Sequence, residues 1–116
     1  MKKILCFDLD NVVCKTNDND YHSSIPNKIA IIKINSLYRK GFFIKIFTAR
    51  YMGRNKENVK RAKSQGYKFT LGQLKIWGLK YNKLIFGKPT YDLFVDDKAI
   101  FFKNDWHKKI DKYLKK

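Results

Sequence analysis

Four short apolar runs, each giving way to polar or acidic residues, constrain this chain more than any other feature: Lys3–Leu9, Phe42–Phe47, Lys83–Phe86 and Tyr91–Val95. Short runs rich in β-branched and aromatic side chains read as strands buried in a sheet. In an open α/β sheet, ligands bind outside the carboxyl ends of the strands, so the residues at the end of each run matter most. Here those residues are Asp8 and Asp10, Thr48, Lys88 after Gly87, and Asp96 with Asp97.

The segments between the runs carry helical patterns. After a polar loop at 15–24, Ser24-Ile25-Pro26 opens a helix with Ile29, Ile32, Ile34, Leu37 and Tyr38 on its apolar side, ending near Gly41. Residues 55–65 read as a polar helix closed by Gly66, and Thr70–Leu79 as a second, capped by Thr70 and ending around Gly78. Trp106–Leu114 reads as a terminal helix with a frayed lysine tail. Strands alternating with helices predict a single Rossmann-like α/β domain over residues 1–116, a mostly parallel sheet flanked by helices. No repeat, low-complexity linker or domain boundary interrupts it.

Composition excludes several classes. A 116-residue chain that is 44% hydrophobic and 16% aromatic can build a core, which rules out disorder as its main state. Its longest apolar runs fall short of the ~20 residues a membrane span needs. Asp8 and Asp10 interrupt the apolar stretch after Met1-Lys2-Lys3, so a cytoplasmic chain with no membrane partner is expected. Twenty-six basic against ten acidic residues give a net charge of +16, which fits nucleic acid or another anionic partner. The lysines run along the whole chain, however, and arginine occurs only at Arg39, Arg50, Arg54 and Arg61, so overall bias is the stronger reading. Cys6 reads as a small core residue and Cys14 as a neighbour of the first acidic pair; their spacing matches neither a zinc site nor a disulfide framework.

The set as a whole, Asp8-x-Asp10 after the first strand, Thr48 after the second, Gly87-Lys88-Pro89, then Asp96-Asp97 after the fourth, resembles the four motifs of the haloacid dehalogenase superfamily over nearly the whole chain. That resemblance implies a magnesium-dependent phosphatase working through an aspartyl-phosphate. It makes Asp8 the nucleophile, Asp10 the acid and then the base, Thr48 a donor to the phosphoryl oxygens and Lys88 a neutralising cation. It makes Asp8, the Asp10 carbonyl, Asp96 and Asp97 the Mg²⁺ ligands. The chemistry is coherent: a carboxylate attacks a phosphate dianion only where cations screen the repulsion, and oxygen donors suit a hard cation. In an extended strand, residues two apart point the same way, which sets Asp10 beside Asp8. Asn11 stands where the superfamily commonly has Gly, and Asn tolerates unusual backbone angles.

Phe47-Thr48-Ala49-Arg50, Thr70-x-x-Gln73-Leu74-x-x-Trp77-Gly78-Leu79-x-Tyr81 and Gly87-Lys88-Pro89-x-x-Asp92-x-x-x-Asp96-Asp97-Lys98-Ala99 are similar to the small capsule-biosynthesis phosphatases. This implies a phosphorylated sugar, polyol or amino-alcohol precursor of a surface polysaccharide as substrate. Neither inter-motif gap has room for a cap domain, which leaves an open site: either the substrate is large, or selectivity comes from the short 15–24 loop and from a neighbouring subunit if the chain is a homo-oligomer. Arg50, Tyr51 and Arg54 are the candidate substrate contacts, since arginine holds a second phosphate or a carboxylate bidentately. His22 has no settled role, His107 reads as surface, Trp77 as packing and Asp92 as structural. Three other readings stay open: a nucleic-acid end phosphatase, a phosphotransferase, and a phosphate-binding or scaffold protein of the same fold without turnover.

Overall fold

The protein is described by a computed structural model covering residues 3–115. Strands β1 (Ile4–Asp8), β4 (Phe43–Thr48) and β5 (Lys83–Phe86) lie side by side in that order as a parallel sheet. Two short strands, β2 (Cys14–Lys15) and β3 (Ile25–Pro26), pair antiparallel beside it. Helices α1 (Lys28–Arg39), α2 (Val59–Ile76) and α3 (Trp106–Leu114) flank the sheet. The result is a single compact α/β domain with a radius of gyration of 14.1 Å. Among the described residues no helix is long and apolar enough to cross a membrane.

Register sets the strand ends level. Asp8 pairs with Phe47, and Thr48 with Phe86, so the residues leaving all three strands emerge at one edge. The Asn82 side chain helps fix this alignment by accepting the Ile44 N–H at 2.7 Å, just before β5 begins. Ile44 and Ile46 of β4 are fully buried together with Leu9, Val13, Ile34, Leu37 and Leu74, making the central strand the spine of the core. Trp106 ties α3 to the sheet by an edge contact on Phe7, and Lys33 of α1 bonds Asp111 of α3 at 2.5 Å.

Four expectations change. The first helix starts at Lys28, capped by Asn27, whose side chain accepts the Ala30 N–H; Ile25-Pro26 is taken up in pairing with Cys14-Lys15 instead. Residues 55–65 and 70–79 are not two helices. Asn58 caps one continuous α2, and Gly66 lies within it because the Tyr51 ring rests on that turn, where any Cβ would overlap the ring. The third change is the largest: Tyr91–Val95 is not a strand. The rings of Tyr91 and Phe94 meet at 5.1 Å, which places residues three apart on one side, whereas an extended strand would point them to opposite faces. Leu93 and Val95 remain 81% and 89% exposed, and β1 keeps an unpaired edge among the described residues. In consequence Cys6, on that edge strand, is exposed rather than a core residue. The terminal helix has its expected bounds, and its lysine tail falls partly on Lys116, outside the described residues.

Candidate active site

The site is built by two turns. After β1, the Leu9 carbonyl accepts the N–H groups of Val13 and Cys14, and Asn11, at a left-handed φ of 70°, donates its N–H to the Cys14 carbonyl, which closes the turn that carries Asp10. After β4, the Thr48 hydroxyl oxygen accepts the Arg50 N–H at 3.0 Å and Tyr51 adopts φ 65°. Every non-glycine residue with positive φ among those described, Asn11, Asp18, Asn19, Tyr51, Lys56 and Glu57, belongs to the loops beyond these two strands. Such angles cost on the order of 1–3 kcal/mol for a residue like Tyr51 and concentrate where a site is being shaped.

Asp8 and Lys88 meet across the sheet edge. Lys88 N–H bonds the Thr48 carbonyl, which carries its ammonium to 3.1 Å from Asp8 Oδ2. Burial pushes the Asp8 carboxyl above the usual range; the Lys88 charge pulls it back only in part, and nearby Asp10 adds to the rise. For Lys88 the balance is opposite: burial lowers its pKa, but the Tyr91 hydrogen bond and the Asp8 charge raise it further. About a third of the Asp8 side chain, 37%, is open to solvent, so an incoming group can reach it.

Asp10 is held more tightly. Its Oδ1 accepts the Thr16 hydroxyl at 2.6 Å and Arg50 Nη2 at 3.0 Å, while Arg50 Nε donates to Oδ2 at 3.0 Å. Cys14 Sγ lies 3.5 Å from the same Oδ1, and burial pushes the thiol pKa up.

The remaining expected residues divide. Thr48 is fully buried with its hydroxyl turned to the Arg50 backbone, so it shapes the turn rather than facing an open site. Arg50 is also buried, its guanidinium turned to Asp10, Gln73 and Ser24. Tyr51 is buried beside Tyr21, whose hydroxyl accepts its N–H. Arg54 is exposed, lies over the Tyr51 and Tyr21 rings at 4.7 and 5.4 Å, and donates to the Asn19 carbonyl. It lines a cleft of about 420 Å³ together with Asn19, Asp20, His22, Tyr51 and Gln65. His22 also packs on Phe69, giving it a structural role at the cleft wall.

The expected magnesium ligands do not come together. Asp96 is exposed, with its Oδ1 accepting the Lys98 N–H, and that bond together with Asp97 lowers its pKa. Asp97 is exposed beside it, and among the described residues no three His, Cys, Asp or Glu side chains gather about one point. As placed, the donor set does not fit a hexacoordinate cation. The physical reason is the missing fourth strand, which would carry both carboxylates to the edge where Asp8 stands.

Four residues not among the expected site residues, Thr16, Ser24, Thr70 and Gln73, bond Asp10, Arg50 or one another. Thr70 and Gln73, three apart on one face of α2 and both buried, are the legible signal: polar residues at a core spacing need partners.

No protein-family model matches the chain, and no curated protein matches it. A structural-genomics target from Vibrio cholerae, known by its crystal structure, is similar over 97% of this chain and 98% of its own, with a TM-score of 0.80 and 24% identity. At that identity the likeness is one of fold, and it extends along the entire α/β domain.

Proposed function

We propose that the chain is a phosphomonoester hydrolase in which Asp8 is the nucleophile. The observation that carries this reading is the pair at the strand ends: a solvent-reachable Asp8 carboxylate 3.1 Å from the Lys88 ammonium, with Asp10, held by Arg50, close enough for its charge to act on Asp8. A cation bound to Oδ2 lessens the repulsion a phosphate would meet and leaves the other Asp8 oxygen to attack. The new bond joins that oxygen to phosphorus, and the ester P–O bond breaks as the departing alkoxide takes a proton from Asp10, which must first be protonated at an oxygen freed from Arg50. Water then attacks the aspartyl-phosphate, losing its proton to Asp10, and releases inorganic phosphate with Asp8 regenerated. These steps run on the chain's own groups.

The motif resemblance supports a small phosphorylated sugar, polyol or amino alcohol of surface-polysaccharide synthesis as the substrate. Arg54, which lines the cleft with Tyr51, is the candidate contact for its non-reacting part. Phosphate release from such compounds, from p-nitrophenyl phosphate and from 3′-phosphorylated oligonucleotides, with magnesium or a chelator, tests the reading. Turnover of a small phosphate that disappears in Asp8→Asn is expected. Turnover confined to oligonucleotides would favour a nucleic-acid end phosphatase, and turnover unchanged in Asp8→Asn would remove the nucleophile.

A further inference from the structure

We infer that Tyr91, backed by Phe94, is a positioning residue for Lys88, holding its ammonium against one oxygen of Asp8; this rests on the reading of Asp8 as the nucleophile. The Lys88 ammonium lies 5.3 Å from the centre of the Tyr91 ring and 6.0 Å from that of Phe94, and the two rings meet at 5.1 Å. Only 13% of the Lys88 side chain is open to solvent, whereas Tyr91 and Phe94 are each roughly half exposed. The ring pair thus stands between the ammonium and water.

A lysine ammonium is a compact point charge on a flexible stem, with three rotatable donors and no fixed fork to orient it. Left free, Lys88 would visit either oxygen of Asp8, including the one that has to attack. Here one donor is taken by Asp8 Oδ2 and a second by the Tyr91 hydroxyl, which leaves the third for a phosphoryl oxygen. The backbone that carries Tyr91 is itself fastened. Lys88 N–H bonds the Thr48 carbonyl at 3.1 Å and Thr90 N–H donates to Glu57 Oε1 at 2.9 Å, tying the residues on both sides of Pro89 to the end of β4 and the loop that follows it. Glu57 is held in turn, at a left-handed φ of 62°, by its own N–H bond to the Met52 carbonyl at 2.8 Å. Tyr91 is therefore the first residue after a twice-anchored turn, and its ring is aimed at Lys88 without a strand to carry it.

The test observes Lys88 first without turnover and then during it. In protein labelled with ¹⁵N at lysine, a held ammonium gives a heteronuclear NMR signal that a mobile one loses to exchange with water, and the Lys88 signal is the one missing from Lys88→Met. That signal is expected in the wild type, weaker in Tyr91→Phe, which keeps the ring without the hydroxyl, and absent from Tyr91→Leu. On p-nitrophenyl phosphate, whose phenolate departs without a proton, kcat/KM should fall about threefold in Tyr91→Phe and about tenfold in Tyr91→Leu. In a Lys88→Met background, Tyr91→Leu should bring no further loss. Glu57→Ala, which frees Thr90 but leaves Lys88 and both rings unaltered, should weaken the signal and the rate in the same sense; melting curves establish which variants fold, and Glu57→Ala carries the test if those at Tyr91 do not. A Lys88 signal missing from the wild type or unchanged in the folded variants, an unchanged kcat/KM, or an equal loss in the Lys88→Met background would each overturn the inference. A Lys88 signal that depends on Tyr91 in wild-type protein that releases no phosphate would instead bring down the hydrolase reading, and with it the role given to the contact.

Discussion

The Lys88 ammonium lies 3.1 Å from Oδ2 of Asp8, joining the residue that closes the first strand to the one two positions beyond the last. The two do not profit equally. Burial outweighs Lys88 at Asp8 and raises its pKa, whereas Asp8 and Tyr91 outweigh burial at Lys88. A nucleophilic Asp8 must be ionised, so the rate should drop, as pH falls, at a value above the 3.8 of an ordinary aspartate. Lys88→Met removes the main influence pulling that value down, and the acid limb of the kcat/KM profile should move to still higher pH. An acid limb unmoved by the substitution would mean that another group sets it.

Arg54 provides a test of substrate binding independent of the chemistry. It is exposed, stacked on Tyr51 and Tyr21, and engaged in one long bond of 3.4 Å to a backbone carbonyl. Arg54→Ala should raise KM for an anionic sugar phosphate about tenfold while kcat holds, the pattern of an interaction equal in ground and transition states. Steady-state kinetics on substrates with and without a second anionic group would show it. A fall in kcat at constant KM would place Arg54 in the reacting machinery instead.

Gly66 links the site to the core. The ring of Tyr51, the residue after Arg50, sits where a Cβ at position 66 would project. Gly66→Ala gains helix propensity of roughly 1 kcal/mol but forces the ring away, and overpacking costs about 1–3 kcal/mol. A net loss is expected, seen as a melting temperature lowered by several degrees, since about 1 kcal/mol moves a domain of this size by roughly 4 °C. A raised melting temperature would show that the ring relocates freely.

Asp96 tests the placement of its own segment. With its carboxylate exposed and bonded to the Lys98 N–H, Asp96→Asn should change phosphate release by less than about twofold. Abolished turnover would show that Asp96 joins the reacting groups, as the motif resemblance implies.

Features that depend on local pattern are legible in the sequence. Phe43–Thr48, Lys83–Phe86 and Trp106–Leu114 stand where their apolar patterns place them, and so do Asp8, the last residue of β1, and Lys88, two positions beyond β5. Tyr91–Val95 has as good a strand composition, but a strand exists only with a partner, and no local signal reports whether β1 accepts one. Gly66 reads as a helix stop because the ring of Tyr51, fifteen positions earlier, is invisible to helical spacing. Arg50 reads as a ligand contact for the same reason. Its bonds run to Asp10, 40 residues back, and to Gln73, 23 residues on, so its burial is a property of the fold alone.

The central claim is that phosphoryl transfer passes through Asp8. The most direct measurement is mass spectrometry of protein quenched in acid during turnover of a phosphomonoester. A single phosphoryl adduct is expected on the peptide containing Asp8, absent from Asp8→Asn, which should also release no phosphate. Continued phosphate release by Asp8→Asn without any adduct would contradict it.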